Sequence, residues 1–341
     1  MDRARRRRFL IAAGAVVVAP IVRAQPAAKV PVLGLLVPGP KDASQAGARF
    51  RALLLKRLRE LGWVEGKTLR IETVFAGKDL NRLPEAAAVL AAKRVDVIWA
   101  PSPPAAVAAA RATSTIPIVF WRVGFPDKLG LVDSYARPGR NVTGLAWVDV
   151  DLYLKRYQLL REIAPHATRV VALATAPGKS MPTVSGGSVD MKWFIDKVNA
   201  EKRALGFEAK TVFVRKPGDF DRAFVAIEQW GADSLVVYES PQTLLARRQI
   251  IDFARRHRLV DIYESHEWAA AGGLISYGIV FTPTLLRTAE MIDHILRGTK
   301  PADIPVEMPS QYELVVNRAV AKKQGFTFPQ TVLFRADQVI G

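Results

Sequence analysis

The sequence predicts an α/β protein of two doubly wound, Rossmann-like lobes with a ligand cleft between them. Each lobe is expected to be a mostly parallel sheet with helices on both faces. From Lys29 onward, short apolar runs typical of buried strands alternate with helical patterns. The same order of strands and helices occurs twice, with nearly equal intervals between strands. The chain has 341 residues, which is more than one core usually holds and suits two lobes.

The first half opens on the run Val32–Val37, which predicts a buried strand because it is short and almost wholly apolar. A helix is predicted over residues 44–61, where Phe50, Leu54 and Leu58 have helical spacing and Gly62 follows as a stop signal. Further strands are predicted at residues 69–75, 95–100 and 116–121, and further helices at residues 84–93 and 104–113.

The second half repeats this order. Strands are predicted at residues 169–175, 209–214, 234–239, 259–263 and 274–277, and helices at residues 188–205, 220–230 and 244–256. Repeated βα units favour a parallel sheet, and ligands bind beyond the carboxyl ends of the strands in such sheets. We therefore expect the binding site where the two lobes face each other.

Residues 1–24 have the layout of a cleaved export signal. Arginines crowd residues 3–8, an apolar stretch covers residues 9–22, and Ala24 precedes the expected cleavage site. The string Arg6-Arg7-Arg8-Phe9-Leu10 also matches the core of a twin-arginine signal, so both export routes stay open. Cysteine is absent, and we expect an unlipidated protein of the periplasm.

The composition excludes few partners by itself. The formal net charge is +17, and a basic balance can indicate a nucleic-acid partner. Beyond the export signal, however, the basic residues are dispersed, and Arg255-Arg256-His257-Arg258 is typical of the solvated face of a helix. We expect no nucleic-acid partner.

No catalytic signature is found in the sequence. It has no G-x-S-x-G nucleophile turn, no phosphate-binding P-loop and no G-x-G-x-x-G after a strand. The string His266-Glu267-Trp268-Ala269-Ala270 begins like a zinc motif but has Ala where the second histidine ligand must stand. We therefore expect no metal, no cofactor and no enzymatic activity.

The candidate binding residues lie in or beside the loops that follow the predicted strands. Ser102 and Pro103 open a helix whose free N–H groups can bind an anion such as a carboxylate, although Ser102 can equally be a plain helix cap. His266 can line the pocket or lie on the surface. The predicted ligand-binding residues are Pro38, Ser102, Pro103, Phe125, Asp127, Pro177, Lys179, Tyr238, Glu239, Ser240, His266 and Tyr277. Together they predict a cleft for a ligand with an anionic head and an apolar or aromatic body.

Five strings, in order along the chain, resemble those of the ABC transporter substrate-binding proteins of the tryptophan-binding lipoprotein type. They are Leu58-Arg59-Glu60-Leu61-Gly62-Trp63-Val64-Glu65-Gly66, Ser114-Thr115-Ile116-Pro117-Ile118-Val119-Phe120, Arg137-Pro138-Gly139 with Asn141-Val142-Thr143-Gly144, Ala271-Gly272-Gly273-Leu274-Ile275-Ser276-Tyr277-Gly278, and Gly298-Thr299-Lys300-Pro301-Ala302-Asp303-Ile304-Pro305-Val306.

This resemblance implies a type I periplasmic binding fold, in which the chain crosses between the lobes three times. The candidate crossings are residues 141–144, 277–278 and 309–314. The first lobe would then hold residues 29–142 and about 278–308, and the second residues 143–277 and about 309–341. The resemblance also implies a monomer that captures a small solute by closure of its lobes and delivers it to an ABC transporter permease.

Two departures from the family pattern leave the solute open. The family often has G-D-P where this chain has Gly124-Phe125-Pro126, and asparagines where it has Ala176-Pro177-Gly178-Lys179. Both changes remove polar groups suited to an amino acid, so an aromatic or other carboxylate is an equal expectation. A periplasmic ligand sensor domain of a signalling system is the alternative function, because the same clamp can present its closed state to a receptor.

Overall fold

The computed structural model describes residues 29–341 apart from residues 40–44, 78, 148–149, 176–180 and 191. The predicted export signal, residues 1–24, lies outside the described residues. Pro31–Gly341 packs together as one unit.

In the described part of the first half, five parallel strands form one sheet in the order β2-β1-β3-β4-β5. In chain order the elements are β1 (Val32–Val37), α1 (Gln45–Glu60), β2 (Arg70–Phe75), α2 (Leu83–Ala92), β3 (Val97–Ala100), α3 (Pro103–Ala112), β4 (Ile118–Val123) and β5 (Val142–Ala146).

Both faces of this sheet are buried. Along β1, Val32 and Leu36 belong to the core beneath α2 and α3, whereas Leu33 and Leu35 belong to the core on the opposite face. The side chains of a strand alternate between faces, so a run without polar residues is needed when helices cover both. The apolar run in the sequence therefore has a direct cause in the fold.

The second half builds a larger sheet from the same pattern. Its elements are α4 (Val150–Ile163), β6 (Arg169–Thr175), β7 (Met181–Pro182), β8 (Ser188–Val189), α5 (Lys192–Ala204), β9 (Glu208–Val214), α6 (Phe220–Gln229), β10 (Ser234–Val237), α7 (Pro241–Leu245), α8 (Arg247–Arg256), β11 (Val260–Tyr263), α9 (His266–Ala270), β12 (Ile275–Ile279), α10 (Phe281–Leu296), β13 (Tyr312–Asn317), α11 (Arg318–Gln324), α12 (Gln330–Arg335) and β14 (Gln338–Ile340).

The two sheets share one strand order. The described strands of the second sheet run β14-β13-β12-β11-β10-β6-β9, and all neighbours are parallel except β12 and β13. Its segment β9-β6-β10-β11-β12 repeats the order β2-β1-β3-β4-β5 of the first sheet. The predicted duplication and the doubly wound α/β class are confirmed.

Two predicted helices are wrong in part. The helix expected over residues 188–205 begins only at Lys192, because Ser188 and Val189 pair with Met181 and Pro182 in a small hairpin. The helix expected over residues 244–256 is divided between α7 and α8. The sequence analysis also missed β5, α4, α9, α10 and every element after β12.

The chain passes between the two sheets more than once. The expected crossing segments 141–144 and 277–278 end inside β5 and β12, so the chain leaves each sheet a few residues later. After Ile279 it enters α10, which packs against α1 and β4 of the first half, and it returns to the second sheet at β13. The assignment of residue ranges to lobes stays a prediction.

Candidate functional site

A pocket lies where elements of the two halves meet. It holds about 270 Å³ of empty space, part of which is open to solvent. Its lining residues are Trp147, Leu152, Tyr153, Arg156, Glu239, Glu264, Ile279 and Phe281. Most of them lie after the carboxyl ends of strands or on the first turns of the helices that follow, which is where doubly wound sheets bind their ligands. Ile279 is the last residue of β12, and Arg156 is on the second turn of α4.

One wall of the pocket is aromatic. Trp147 directly follows β5, and its backbone N–H donates to the carbonyl of Val123 at the end of β4 (3.1 Å). Phe281 is the first residue of α10, and its ring stacks on Trp147 with the centroids 4.7 Å apart. A flat pair of this kind offers a large apolar surface to a bound molecule.

The pocket lining also contains two carboxylates, Glu239 and Glu264. They follow the neighbouring parallel strands β10 and β11, whose carboxyl ends meet at one edge of the sheet. The backbone N–H of Glu239 donates to Oε2 of Glu264 (2.7 Å). Oε2 of Glu239 accepts from the Ser265 hydroxyl (2.7 Å) and the Trp268 indole (3.2 Å), which fixes its orientation.

Glu264 is paired with a buried arginine. Arg156 on α4 is 2% exposed, and its Nη1 lies 2.7 Å from Oε1 of Glu264. Its Nε also donates to the carbonyl of Tyr277 (2.8 Å). Burial raises the pKa of the Glu264 carboxyl, and the positive charge of Arg156 opposes that rise. Breaking such a buried pair leaves a charge without its partner, which typically costs about 3–5 kcal/mol.

The family-like string around β12 ends on Gly278, and the structure shows why a glycine is needed at this position. A Cβ atom at this position would lie 1.6 Å from the carbonyl oxygen of Glu264. Only glycine therefore allows β12 to pass this close to the end of β11. The glycine thus allows Glu264 to line the pocket, although Gly278 is not itself a lining residue.

Three tyrosines lie near Glu264, and one of them, Tyr153, lines the pocket. Tyr153 packs against Tyr238 with ring centroids 5.1 Å apart, and the hydroxyls of Tyr157 and Tyr238 are hydrogen-bonded at 2.8 Å. Burial raises the pKa of all three phenols. They therefore stay protonated and uncharged at neutral pH.

Arg122 lies at a bulge near the end of β4. The register with β5 shifts between Trp121 and Val123, and Arg122 has a φ of 62°, a left-handed conformation that costs a residue with a side chain about 1–2 kcal/mol. Its guanidinium carbon lies 4.0 Å from the Trp147 ring centroid and 4.8 Å from that of Phe281. Burial lowers the pKa of Arg122, and the charges of Glu239 and Glu264 partly restore it.

Phe125 connects the first sheet to α5 of the second half. It is buried, it has a φ of 51°, and its ring packs edge-on against Trp193 (4.9 Å) and Phe194 (5.7 Å). Phe194 in turn packs against Tyr153, which lines the pocket. Phe125, which stands where the family often has an aspartate, thus takes part in an aromatic contact between the two halves.

Of the predicted site residues, Glu239 lines the pocket. Tyr238 packs against Tyr153, and Tyr277 accepts from Arg156 through its carbonyl, so both lie directly behind the lining. Phe125 is one ring further away, in contact with Phe194.

Other predicted residues have structural roles in helix caps. The Ser102 hydroxyl accepts from the Ala105 N–H (3.4 Å) at the start of α3, where Pro103 is the first residue. Ser240 caps α7 and also receives a hydrogen bond from the Thr175 hydroxyl (2.6 Å). These contacts do not test a role in binding, which stays a prediction.

The remaining predicted residues lie elsewhere or cannot be placed. Pro38 follows β1, and Asp127 is exposed. His266 is the first residue of α9, half-exposed, with Nδ1 3.6 Å from a carboxylate oxygen of Glu313. Pro177 and Lys179 lie outside the described residues.

The sequence analysis missed most of the pocket lining. Trp147 and Phe281 follow strand ends directly, but β5 was not recognised as a strand and α10 was not recognised as a helix. Arg156 carried no signal at all, because a charged residue inside an amphipathic helix pattern is usually exposed. An aromatic residue just after a strand indicates a lining residue, but the sequence analysis could use this signal only where it had predicted the strand.

Among the described residues, no group of three or more His, Asp and Glu side chains could hold a metal ion. In the same part of the chain, no helix is both long and apolar enough to span a membrane.

Comparison with known proteins gives one consistent family. The sequence profile of the family described as ABC transporter substrate binding protein matches residues 46–340. The tyrosine-binding protein of Clostridioides difficile (strain R20291) is 23% identical over 270 residues, which cover 79% of this chain and 74% of that protein.

Two solved structures are similar along most of the chain. A conserved domain protein from Vibrio cholerae has a TM-score of 0.76 at 23% identity and covers 91% of this chain and 100% of its own. A Streptococcus pneumonia domain in complex with L-Trp has a TM-score of 0.75 at 21% identity and covers 91% of this chain and 99% of its own. These likenesses confirm the predicted type I periplasmic binding fold, and the match over residues 46–340 shows that the chain belongs to the ABC transporter substrate binding protein family.

Proposed function

We propose that this substrate-binding protein captures a small organic solute with a carboxylate and an apolar or aromatic body, either an amino acid or an aromatic acid. The observation that carries the proposal is a pocket lined by the aromatic pair Trp147 and Phe281, by the cation Arg156 and by the carboxylates Glu239 and Glu264. The tyrosine-binding relative and the relative in complex with L-Trp support the amino-acid class.

The mechanism is closure of two lobes around the solute. We assign the five-stranded sheet with α10 to one lobe and the seven-stranded sheet with α4 to the other, with the chain crossing after Trp147, near Val280 and over residues 308–311. A solute that touches both walls stabilises the closed state by its differential contacts. The closed clamp then docks on an ABC transporter permease.

The protein acts as an unlipidated monomer in the periplasm, after cleavage of residues 1–24, and it has no catalytic activity. The arginine-rich start of the chain and the lack of cysteine support the first part. The family relation supports the second, and it favours transport over the sensor alternative.

A melting-temperature screen tests the function. The mature protein is freed of any copurified solute by unfolding and refolding, and then mixed with L-tryptophan, L-tyrosine, L-leucine and aromatic carboxylates. A solute present at about 100 times its dissociation constant stabilises the folded state by about 2.7 kcal/mol, which raises the melting temperature by roughly 5 °C. Refolded protein that responds to none of these solutes contradicts the proposal.

Two tryptophan variants, one inside the pocket and one outside it, test the position of the site. Trp147→Ala removes half of the aromatic wall, and we expect it to lower the affinity for the responding solute at least about tenfold. Trp230→Ala is the matched control, because Trp230 is also partly buried beside a cation, Lys210, with 5.9 Å to the ring centroid, but contacts no residue of the pocket lining that the structure describes. Equal losses in both variants would place the site elsewhere.

A further inference from the structure

We infer that Arg122 and Glu239 form a separated charge pair that the solute itself bridges, with the solute carboxylate on Arg122 and its ammonium group on Glu239. The inference rests on the proposed function, and it narrows the solute to a zwitterion, an α-amino acid with an apolar or aromatic side chain. Arg122 is then a residue that determines specificity.

The guanidinium of Arg122 has hydrogen-bond donors, but no residue that the structure describes accepts from them. In the described part of the chain, its guanidinium makes aromatic contacts with Trp121, Trp147 and Phe281 and no hydrogen bond or ion pair. A guanidinium carries five N–H donors and keeps its charge inside proteins. By contrast, Arg156 on the other side of the pocket is already bound to Glu264 and the Tyr277 carbonyl.

Glu239 offers the complementary vacant atom. Its Oε2 is occupied by the Ser265 hydroxyl and the Trp268 indole, whereas its Oε1 has no hydrogen bond from any residue that the structure describes. The carboxylate lines the pocket, and its orientation is already set by its two donors. Such preorganisation reduces the entropy lost when a ligand binds.

The two charges attract each other without touching. The field of Glu239 acts on Arg122, yet no ion pair joins them among the described residues. Arg122 comes from β4 of the first sheet and Glu239 from the end of β10 of the second. A molecule that joins them therefore also joins the two halves.

Charge balance selects a zwitterion. Arg156 and Glu264 already form an ion pair. The charged groups that remain without an ion pair among the described residues are Glu239 in the lining and Arg122, which contacts the lining rings of Trp147 and Phe281. A plain carboxylate would leave Glu239 without a partner, and an amine would leave Arg122 without one. Burying an unpaired charge is expensive, so only a solute with both charges satisfies the pocket. The rings of Trp147, Phe281 and Tyr153 then face the body of the solute.

Titration calorimetry with charge-deleted probes tests the inference. The probes are L-tryptophan, L-tyrosine and L-leucine, the amide of each, and the des-amino acid of each (indole-3-propionate, 3-(4-hydroxyphenyl)propionate and 4-methylpentanoate). For the amino acid that binds, we expect wild-type protein to bind the amide and the des-amino acid roughly 100-fold more weakly.

Two variants should show opposite patterns. Arg122→Gln should bind the amino acid roughly 100-fold more weakly than wild-type protein does. Because the variant cannot pair with the solute carboxylate, it should bind the amino acid and its amide with equal affinity. Glu239→Gln keeps an acceptor for Ser265 and Trp268, and it should bind the amino acid and the des-amino acid alike. Arg161→Gln is the matched control, because the Arg161 guanidinium also lies 4.0 Å from a ring centroid, that of Phe207, and Arg161 is not among the residues that line the pocket.

The possible results separate the two proposals. If wild-type protein binds an amino acid but Arg122→Gln weakens acid and amide equally, the arginine is structural and the inference is overturned while the function stands. Tighter wild-type binding of an aromatic acid than of its amino acid also overturns it. Failure of the refolded wild-type protein to bind any probe overturns both.

Discussion

At the scale of single residues, the seven-stranded sheet contains a buried acid outside the pocket. Asp261 on β11 is 2% exposed, and one of its oxygens accepts from the Leu274 N–H (3.1 Å). Burial raises the pKa of its carboxyl to about 6. The folded protein therefore holds a proton at pH values where the unfolded chain has released it.

Because of this raised pKa, the free energy of unfolding should decrease as the pH rises. A shift from 3.8 to about 6 corresponds to roughly 3 kcal/mol of unfolding free energy, lost between about pH 4 and pH 6 and not regained above it. Asp261→Asn should remove most of this dependence when urea unfolding is compared at pH 4.5 and pH 7.5. Glu264 contributes with the same sign, so a smaller dependence should remain.

Asp252→Asn is the control for this experiment, because Asp252 is on the surface with 53% of its side chain exposed. It should keep the pH dependence of the wild-type protein. A steep dependence that persists unchanged in Asp261→Asn would show that the Asp261 carboxyl is ionised in the folded protein throughout this range.

At the scale of elements, the hairpin of β7 and β8 is an unexpected connection between the halves. It leaves the second sheet after β6, and Met181, Val184 and Val189 pack against the core of the first half. The Val184 N–H donates to the Leu129 carbonyl (2.9 Å), and Arg111 of α3 donates to the Thr183 carbonyl through Nε (3.1 Å). The sequence analysis placed β8 inside the helix expected over residues 188–205 and made no prediction for β7, because strands of two residues leave no recognisable pattern.

Removing the arginine should release the hairpin. In Arg111→Ala the Thr183 carbonyl loses its donor, so we expect hydrogen exchange of the Val184 amide to become roughly tenfold faster while the central strands stay protected. Arg222→Ala, at an exposed site, should change nothing. Rapid exchange of the Val184 amide already in the wild-type protein would mean that the hairpin does not hold the two halves together.

At the scale of the whole molecule, the two sheets present the carboxyl ends of their strands to one pocket, and α10 returns the chain to the first half before β13 rejoins the second. Each sheet has its own cores, which cover both of its faces. We therefore expect the two sheets, each with its helices, to move as rigid bodies about the segments that connect them.

Closure should be visible in solution. We expect the radius of gyration from small-angle X-ray scattering to fall when the solute that raises the melting temperature is added at saturation. Trp147→Ala at the same solute concentration should show a smaller decrease, because it removes part of the wall that the solute contacts. A radius that stays constant while the solute is bound would contradict a clamp that closes on its ligand.

The sequence alone determined the α/β class, the duplication and the family. Buried parallel strands must be apolar on both faces, so β1, β3, β4, β6 and β10 are visible as short apolar runs. The family-like strings record places where backbones meet closely, such as Gly278 against Glu264. Helix boundaries followed from glycine stops in several cases, as at Gly62 after α1.

Only the tertiary structure decided which side chains form the site. Glu239 was predicted from its place at the end of the strand expected over residues 234–239. Arg122 directly follows the strand expected over residues 116–121 but was not selected, and the structure places it inside β4. Arg156 is a charged residue on a helix, and it can be buried because it pairs with Glu264, which lies 108 residues later in the chain. Contacts between residues distant in sequence depend on how the sheets pack, and no local pattern carries that information.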